Sequence, residues 1–330
     1  MLHRRHLLGL AAGTAGVLGA PALLRAQGAA WPSRGTIRLV AQFPPGGLVD
    51  TVARLMAPAL SQALGQNIVV ENRAGAGGII GTDIVAKAAA DGYTLLVSHA
   101  SVHVFSTATR PMLPFDPITD FTHMLHLVEA PNIILVRSDS PFQSLAQLLT
   151  AARTRPVRFG SSGIGSAPHL LGAMLSAEAQ APNLDHIPYA GSAPAMQDVL
   201  AGNIECMVDP ITTNTAQMRD GSLRALAVSS PARLPMFPNL PTFAELGFPK
   251  LTSAQWLGLS APKGLPAPIV ERLTAVVPPI LQRPELMARF SDLQTLPRNP
   301  PPSGADFVAL MRAEIAEWTA VARQFNIVVG

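Results

Sequence analysis

Two stretches of this chain place glycine and hydroxyl residues where an apolar run hands over to a helical period, an arrangement suited to holding an anion. The first is Phe43-Pro44-Pro45-Gly46-Gly47, with Asp50 just beyond. Residues 37–40, apolar but for Arg38, read as a buried strand; the Pro-Pro-Gly-Gly run ends it, and Val52, Leu55, Met56, Ala59, Leu60 and Leu64 then follow helical spacing. Glycines in such a turn can take φ > 0 and let a ligand approach the backbone, while the free N–H groups at the start of the next helix favour negative charge. The second stretch is Phe159-Gly160-Ser161-Ser162-Gly163-Ile164-Gly165-Ser166, leading from Val157 and Phe159 into a helix carrying Leu170, Leu171, Met174 and Leu175. Residues 43–49 and 159–167 contain no Lys or Arg. A carboxylate held there would rest on backbone N–H groups and water, not on an arginine fork. Either turn alone is compatible with a plain tight connection, but two of the same kind suggest two α/β lobes facing one ligand.

Other chemistries fit less well. Gly75-x-Gly77-x-x-x-Gly81 approaches a dinucleotide fingerprint, yet polar residues 71–73 separate it from the preceding strand. The next strand also ends at Ser98-His99, without the acid a ribose would require. The pairs His99/His103 and His123/His126 have metal-compatible spacing, but no Cys or carboxylate cluster accompanies them. Ser161 and Ser162 do not complete Gly-x-Ser-x-Gly, and no acid is placed to orient nearby His169. Asp50 reads either as a ligand or base, or as a carboxylate capping a helix start. No catalytic residue, metal or cofactor is assigned. An exported hydrolase and a nucleotide-dependent oxidoreductase stand as the alternatives to a binding protein.

The elements that must carry these turns follow from composition and period. At 330 residues the chain has room for roughly two domains, and 48% hydrophobic against 14% charged residues excludes disorder. Residues 1–26 read as an export signal of twin-arginine type: Arg4-Arg5, a small apolar stretch, and a small-residue cleavage point at Arg25-Ala26-Gln27. That segment holds three arginines and no acid, so the 24 basic and 21 acidic residues become 21 and 21 without it. A mature chain of zero net charge offers no argument for nucleic acid. The single cysteine, Cys206, lies in an apolar run and reads as a small core hydrophobe.

Strands at 67–71 and 93–97, with a helix over 80–89, continue the βαβαβ rhythm and predict a mostly parallel sheet covered by helices on both faces. Residues 105–120 read as irregular. Two extended runs, 122–128 and 132–136, are separated by Glu129-Ala130-Pro131, where the chain crosses to a second lobe. That lobe holds helices at 144–153, after the second turn, and from Gly191-Ser192 to Leu200, with strands at 157–160, 186–189, 204–208 (ending at Asp209) and 223–228. The extended run 256–261 crosses back, and helices follow at 268–281, 284–293 and 303–325. The division is therefore 31–130 plus 253–330 for lobe one and 131–252 for lobe two, with hinges near Ala130 and Ser253. The carboxyl ends of both sets of strands open into a shared cleft.

Several of these stretches also resemble a known family. They are Phe43-Pro-Pro-Gly-Gly-x-x-Asp50, Val70-Glu-Asn-Arg-x-Gly-Ala-Gly-Gly78, Ala90-Asp-Gly-Tyr-Thr-Leu95 and Ser162-Gly-x-Gly-Ser-x-x-His-Leu170. Ile187-Pro-Tyr-x-Gly-Ser192, Leu223-Arg-Ala-Leu-Ala-Val228 and Pro241-Thr-x-x-Glu-x-Gly247 follow in order. From about residue 36 to the C-terminus the chain resembles the periplasmic receptors of tripartite tricarboxylate transporters, the Bug proteins. The resemblance implies a two-lobed, type II-like periplasmic binding protein that closes on its ligand like a flytrap. It implies a monomer that captures a small carboxylate and passes it to integral-membrane transporter subunits. By motif position the opposing loops would be Phe43, Pro44, Pro45, Gly46 and Gly47 with Asp50, and Ser161, Ser162, Gly163, Gly165 and Ser166 with His169. Ser98, Ala100, Ser101, Tyr189, Gly191, Ser192 and Asp209 would line the rest. Leu48 and Val49 stand where smaller or polar residues are expected, and Ala190 where a lysine is common, so the family's dicarboxylates do not transfer automatically.

Overall fold

Residues 31–295, 297–324 and 327–328 are described by the structure, a computed structural model; the export signal expected over residues 1–26 lies outside them. Short apolar runs alternating with helical periods give β1 (Ile37–Ala41), α1 (Leu48–Leu64), β2 (Ile68–Asn72), α2 (Ile79–Ala86) and β3 (Thr94–His99). A π-helical turn, Ser101–Ser106, then runs directly into α3 (Thr107–Thr109), so residues 105–109 are helical where irregular chain was expected. Next come β4 (Phe121–Arg137), α4 (Leu145–Ala152), β5 (Val157–Ser161), α5 (Ala167–Glu178), β6 (Leu184–Pro188), α6 (Ser192–Ala201), β7 (Cys206–Pro210), α7 (Thr215–Arg219) and β8 (Leu223–Val228). β9 (Ala254–Pro262), α8 (Ala267–Leu281), α9 (Pro284–Asp292) and α10 (Gly304–Gln324) complete the order.

The strands form one sheet in the order β2-β1-β3-β9-β4-β7-β5-β6, with β8 also paired to β4. β1 lies parallel to β2 and β3, and β5 parallel to β6 and β7. Every ladder made by β4 or β9 is antiparallel. The expectation of a mostly parallel sheet therefore needs correction: the sheet is mixed. The parallel pairs are built from strand-helix-strand units. β4 and β9 instead carry the chain out of one lobe and back, so as neighbours they must oppose each other.

β4 also runs unbroken through Glu129-Ala130-Pro131, where two separate runs were expected. Its first part pairs with β9, from Phe121 opposite Pro262 to Pro131 opposite Ala254. From Asn132 onward it pairs with β7, starting opposite Pro210. Pro131 cannot donate to a ladder, and it sits where the ladder changes partner, a position that tolerates proline. Ser229 ties the two crossings together. Its Oγ accepts from Asn132 N–H (2.8 Å) and donates to the Ser253 carbonyl (2.6 Å).

Apolar faces fill both sides of this frame. Val52, Met56 and Leu60 of α1 bury against Leu39, Leu95, Leu259 and Leu273. Phe159, Leu170, Met174 and Leu149 form a second cluster, which Phe307, Met311 and Trp318 of α10 extend. The glycines of the near-fingerprint are used for close packing. A Cβ on Gly81 would lie 2.4 Å from the Arg73 carbonyl oxygen and 2.9 Å from Gln42 Cα. One on Gly78 (φ +99), which lies between Gly77 and Gly81 in the chain, would sit 2.7 Å from Val102 Cγ2. Gly81→Ala is accordingly expected to destabilise the fold by about 1–3 kcal/mol through overpacking. Urea unfolding measures this directly, and unchanged stability would mean the close approach is not enforced.

Candidate functional site

The first glycine turn is shaped from within. Gly47 caps α1 with no side-chain partner, so the N–H groups of the first helical turn have no intrahelical acceptor. Asp50, buried at 4% exposure, folds back instead of capping them. Its Oδ2 accepts from Gly46 N–H (3.0 Å), and its Oδ1 accepts from Arg54 Nε and Asn72 Nδ2 (both 2.9 Å). Asn72, at the end of β2, also donates to the Phe43 carbonyl (3.0 Å) and accepts from Arg54 Nη2 (3.0 Å). Burial pushes the Asp50 carboxyl up, but hydrogen bonds from Arg54, Gly46 and Asn72 outweigh it and hold it below the ordinary value. Gly46 takes φ +84, a backbone shape that needs glycine. Arg54 is thus occupied by Asp50, and Arg73 by Glu71.

The second turn is also internally bonded. Ser166 caps α5: its Oγ accepts from His169 N–H (3.4 Å) and donates to the Gly163 carbonyl (2.7 Å). His169 Nδ1 accepts from Gly165 N–H (3.1 Å). Ser161 Oγ is within 2.6 Å of His186 Nε2 and accepts from Gly163 N–H (3.2 Å). The two imidazoles stack at 3.9 Å, and burial lowers His169 to about 4 and His186 to about 3. His186 reaches Ser161 because β5 and β6 run in parallel register, with Phe159 opposite His186.

The turns meet across a narrow cleft of about 30 Å³. A Cβ on Gly191 would sit 3.2 Å from Pro44 Cγ, a tight approach, and its φ of +136 is what calls for glycine where α6 begins beside the first turn. Phe43, Pro44, Pro45, Gly47, Leu48 and Val49 line one wall. Ser162, Gly191, Ser192, Ala193, Pro194 and Pro210 line the other, with His99 and Gln255 between them. None of these side chains is a lysine or arginine.

Of the residues expected at the site, Phe43, Pro44, Pro45, Gly47, Ser162, Gly191 and Ser192 line this cleft. Gly46 and Asp50 shape its first wall, while Ser161, Gly163, Gly165, Ser166 and His169 shape the second turn behind Ser162. Ser98 is buried against Ser260 (2.9 Å), and Ala100 joins the second core cluster. Ser101 bridges Gln255 Oε1 (3.1 Å) and Ala167 N–H (3.3 Å). Tyr189 donates to Asp198 Oδ2 (2.6 Å). Asp209 lies behind Ser192, accepting from Ser192 Oγ (2.6 Å), Asn214 Nδ2 (2.8 Å) and Thr213 Oγ1. His99, Gln255, Pro194 and Pro210 were not singled out by sequence as ligand neighbours. His99, His103 and His123 pack among aromatic rings, and among the described residues no group of three or more His, Cys, Asp or Glu could hold a metal.

Two packed sets of strands joined by β4 and β9, with a narrow cleft between two anion-friendly turns, define a two-lobed solute-binding protein. Comparison places it more closely. Residues 52–327 match the model of the tripartite tricarboxylate transporter family receptor, and the chain belongs to that family. It is 35% identical over 298 residues to protein BugT of Bordetella pertussis, covering 89% of this chain and 90% of BugT. MatC (Rpa3494) from Rhodopseudomonas palustris, solved with bound malate, superposes with a TM-score of 0.82 at 33% identity, covering 87% of this chain and 98% of MatC. R. palustris Rpa4515, solved with adipate, gives 0.84 at 33%, covering 90% and 99%.

Asp209 supplies a pH test of this site. Complete burial raises its carboxyl to about 6, against the opposing hydrogen bonds from Ser192, Thr213 and Asn214. Between the unfolded value near 3.8 and about 6 the folded state binds the extra proton, so stability falls as pH rises through that window. Raising pH from 4 to 7 is expected to cost the wild type about 2 kcal/mol at this residue. Asp209→Asn should lack that contribution, and parallel urea titrations would show identical slopes if Asp209 titrated normally.

Proposed function

We propose that the mature chain is a periplasmic receptor, without catalytic turnover, that captures a small carboxylate in the cleft and delivers it to integral-membrane transporter subunits. The observation that carries this is the uncapped start of α1, facing a narrow cleft whose wall is held in shape by Asp50. Backbone N–H groups at a helix start favour an anion, and none of the lining side chains competes with a charge of its own. Relatives solved with malate and adipate support a carboxylate as the ligand. Binding without turnover is supported by Ser161: it is fully buried and bonded into its own turn, and among the described residues no carboxylate hydrogen-bonds to His186, its partner. Export rests on the signal read over residues 1–26. No described helix is long and apolar enough to cross a membrane. In this reading the protein acts as a monomer with lobes 31–130 plus 253–330 and 131–252, closing about hinges near Ala130 and Ser253.

A thermal-shift screen of small carboxylates is expected to find at least one stabilising acid, worth about 2.7 kcal/mol at a hundred times its dissociation constant. Small-angle scattering with that acid should show a smaller radius of gyration. Hydrolysis of generic esters with no stabilisation by any acid would replace this reading with the hydrolase.

A further inference from the structure

His99 ends β3 with its side chain almost wholly buried, and it lines the cleft. Its Nδ1 accepts from Ser101 N–H (3.3 Å), which leaves the ring proton on Nε2. That Nε2 is buried and has no hydrogen-bond partner among the described residues. The Phe43 ring meets the imidazole edge-on at 5.4 Å and fixes its plane. Burial holds the imidazole down to about 3, so near neutral pH it is an uncharged donor. A buried donor without an acceptor is costly, and an anion in the cleft removes that cost.

The remaining polar side chains are largely committed, Ser162 Oγ apart. The uncapped start of α6 at Gly191 has the Asp209 carboxylate against Ser192 in its first turn, which offsets the pull of its N–H groups on a second anion. Ser192 spends its proton on Asp209, and so presents only lone pairs. Gln255 holds Asn132 and Ser101. Leu48, Val49, Pro194 and Pro210 make the other surfaces apolar. Away from Ser162, a second carboxylate would therefore meet apolar wall, with the Asp209 carboxylate behind Ser192, and would lose most of its hydration without compensation.

We propose that His99 is a ligand-binding residue and that the cleft selects a compact monocarboxylate. The Nε2–H of His99 donates to the carboxylate, and the apolar remainder lies on Leu48, Val49, Pro194 and Pro210. This rests on the carboxylate-receptor reading above. It differs from the malate and adipate of the solved relatives, which are dicarboxylates.

The test is calorimetric titration of wild type, His99→Phe and His99→Gln with isobutyrate, benzoate, malate and adipate. One of the monocarboxylates is expected to bind about tenfold or more tightly than either diacid. His99→Phe should lose about tenfold in affinity for it, the size of one hydrogen bond, while His99→Gln, which keeps an N–H donor, recovers most of the loss. In ¹⁵N-histidine-labelled wild type the His99 Nε2–H resonance should move downfield on binding, a change that a purely structural histidine would not show. Tighter binding of malate or adipate, or wild-type affinity in His99→Phe, overturns the inference and leaves the receptor reading standing. If His99→Phe does not fold, an unmoved Nε2–H resonance overturns it instead. Failure of all four acids to bind overturns the inference, and the receptor reading falls with it only if the wider screen also finds no stabilising acid.

Discussion

Asp50 is the carboxylate on which the binding wall depends. A buried carboxylate without donors would be strongly unfavourable, and here it has three, from the turn, from one helical turn further along α1, and from the end of β2. That arrangement fixes Pro44-Pro45-Gly46-Gly47 against the sheet and keeps Arg54 out of the cleft. It also leaves the first N–H groups of α1 uncapped by any side chain. An acid at the third helical position reaches back to the chain before the helix and does not satisfy the first-turn N–H groups, as Asp50 shows at Gly46. Because Asp50 turns backward to Gly46, the positive end of the helix stays available to a ligand.

The same economy of charge runs through the opposite wall. The second turn is fastened by hydroxyls and neutral imidazoles, with Ser161, Ser166, His169 and His186 bonded to one another or to the turn's backbone. Gly191 permits contact with Pro44, so the walls touch without a salt bridge. Both walls are held by one frame. β4 and β9 run antiparallel between the lobes, and Ser229 links their crossing points through Asn132 and Ser253.

Much of this was legible in the sequence because the signals were local. The Pro-Pro-Gly-Gly run, the helical spacing after it and the apolar strand before it identify β1, the turn and α1. Leu223–Val228 is a strand with the same limits in sequence and structure. What could not be read depended on partners distant in the chain. The unbroken β4 requires β9 and β7 to take over from one another at Pro131, and a proline in isolation reads as a break. Around β3 the reading named Ser98, Ala100 and Ser101, whereas His99 faces the cleft. Alternate strand residues point to opposite sides, so a phase error of one residue exchanges a core serine for a lining histidine. Ser161 meets His186 and not the nearer His169, because parallel strand register decides the neighbour.

The most direct measurement is an amide ¹H–¹⁵N NMR titration of the mature protein with an acid that stabilises it. If backbone donors at the start of α1 hold the carboxylate, the N–H resonances of Gly47, Leu48 and Val49 should move downfield together, with the Arg54 side chain unaffected. Saturable binding that leaves those amides unmoved while shifting the Arg54 or Arg73 guanidinium signals would contradict the anchor described here.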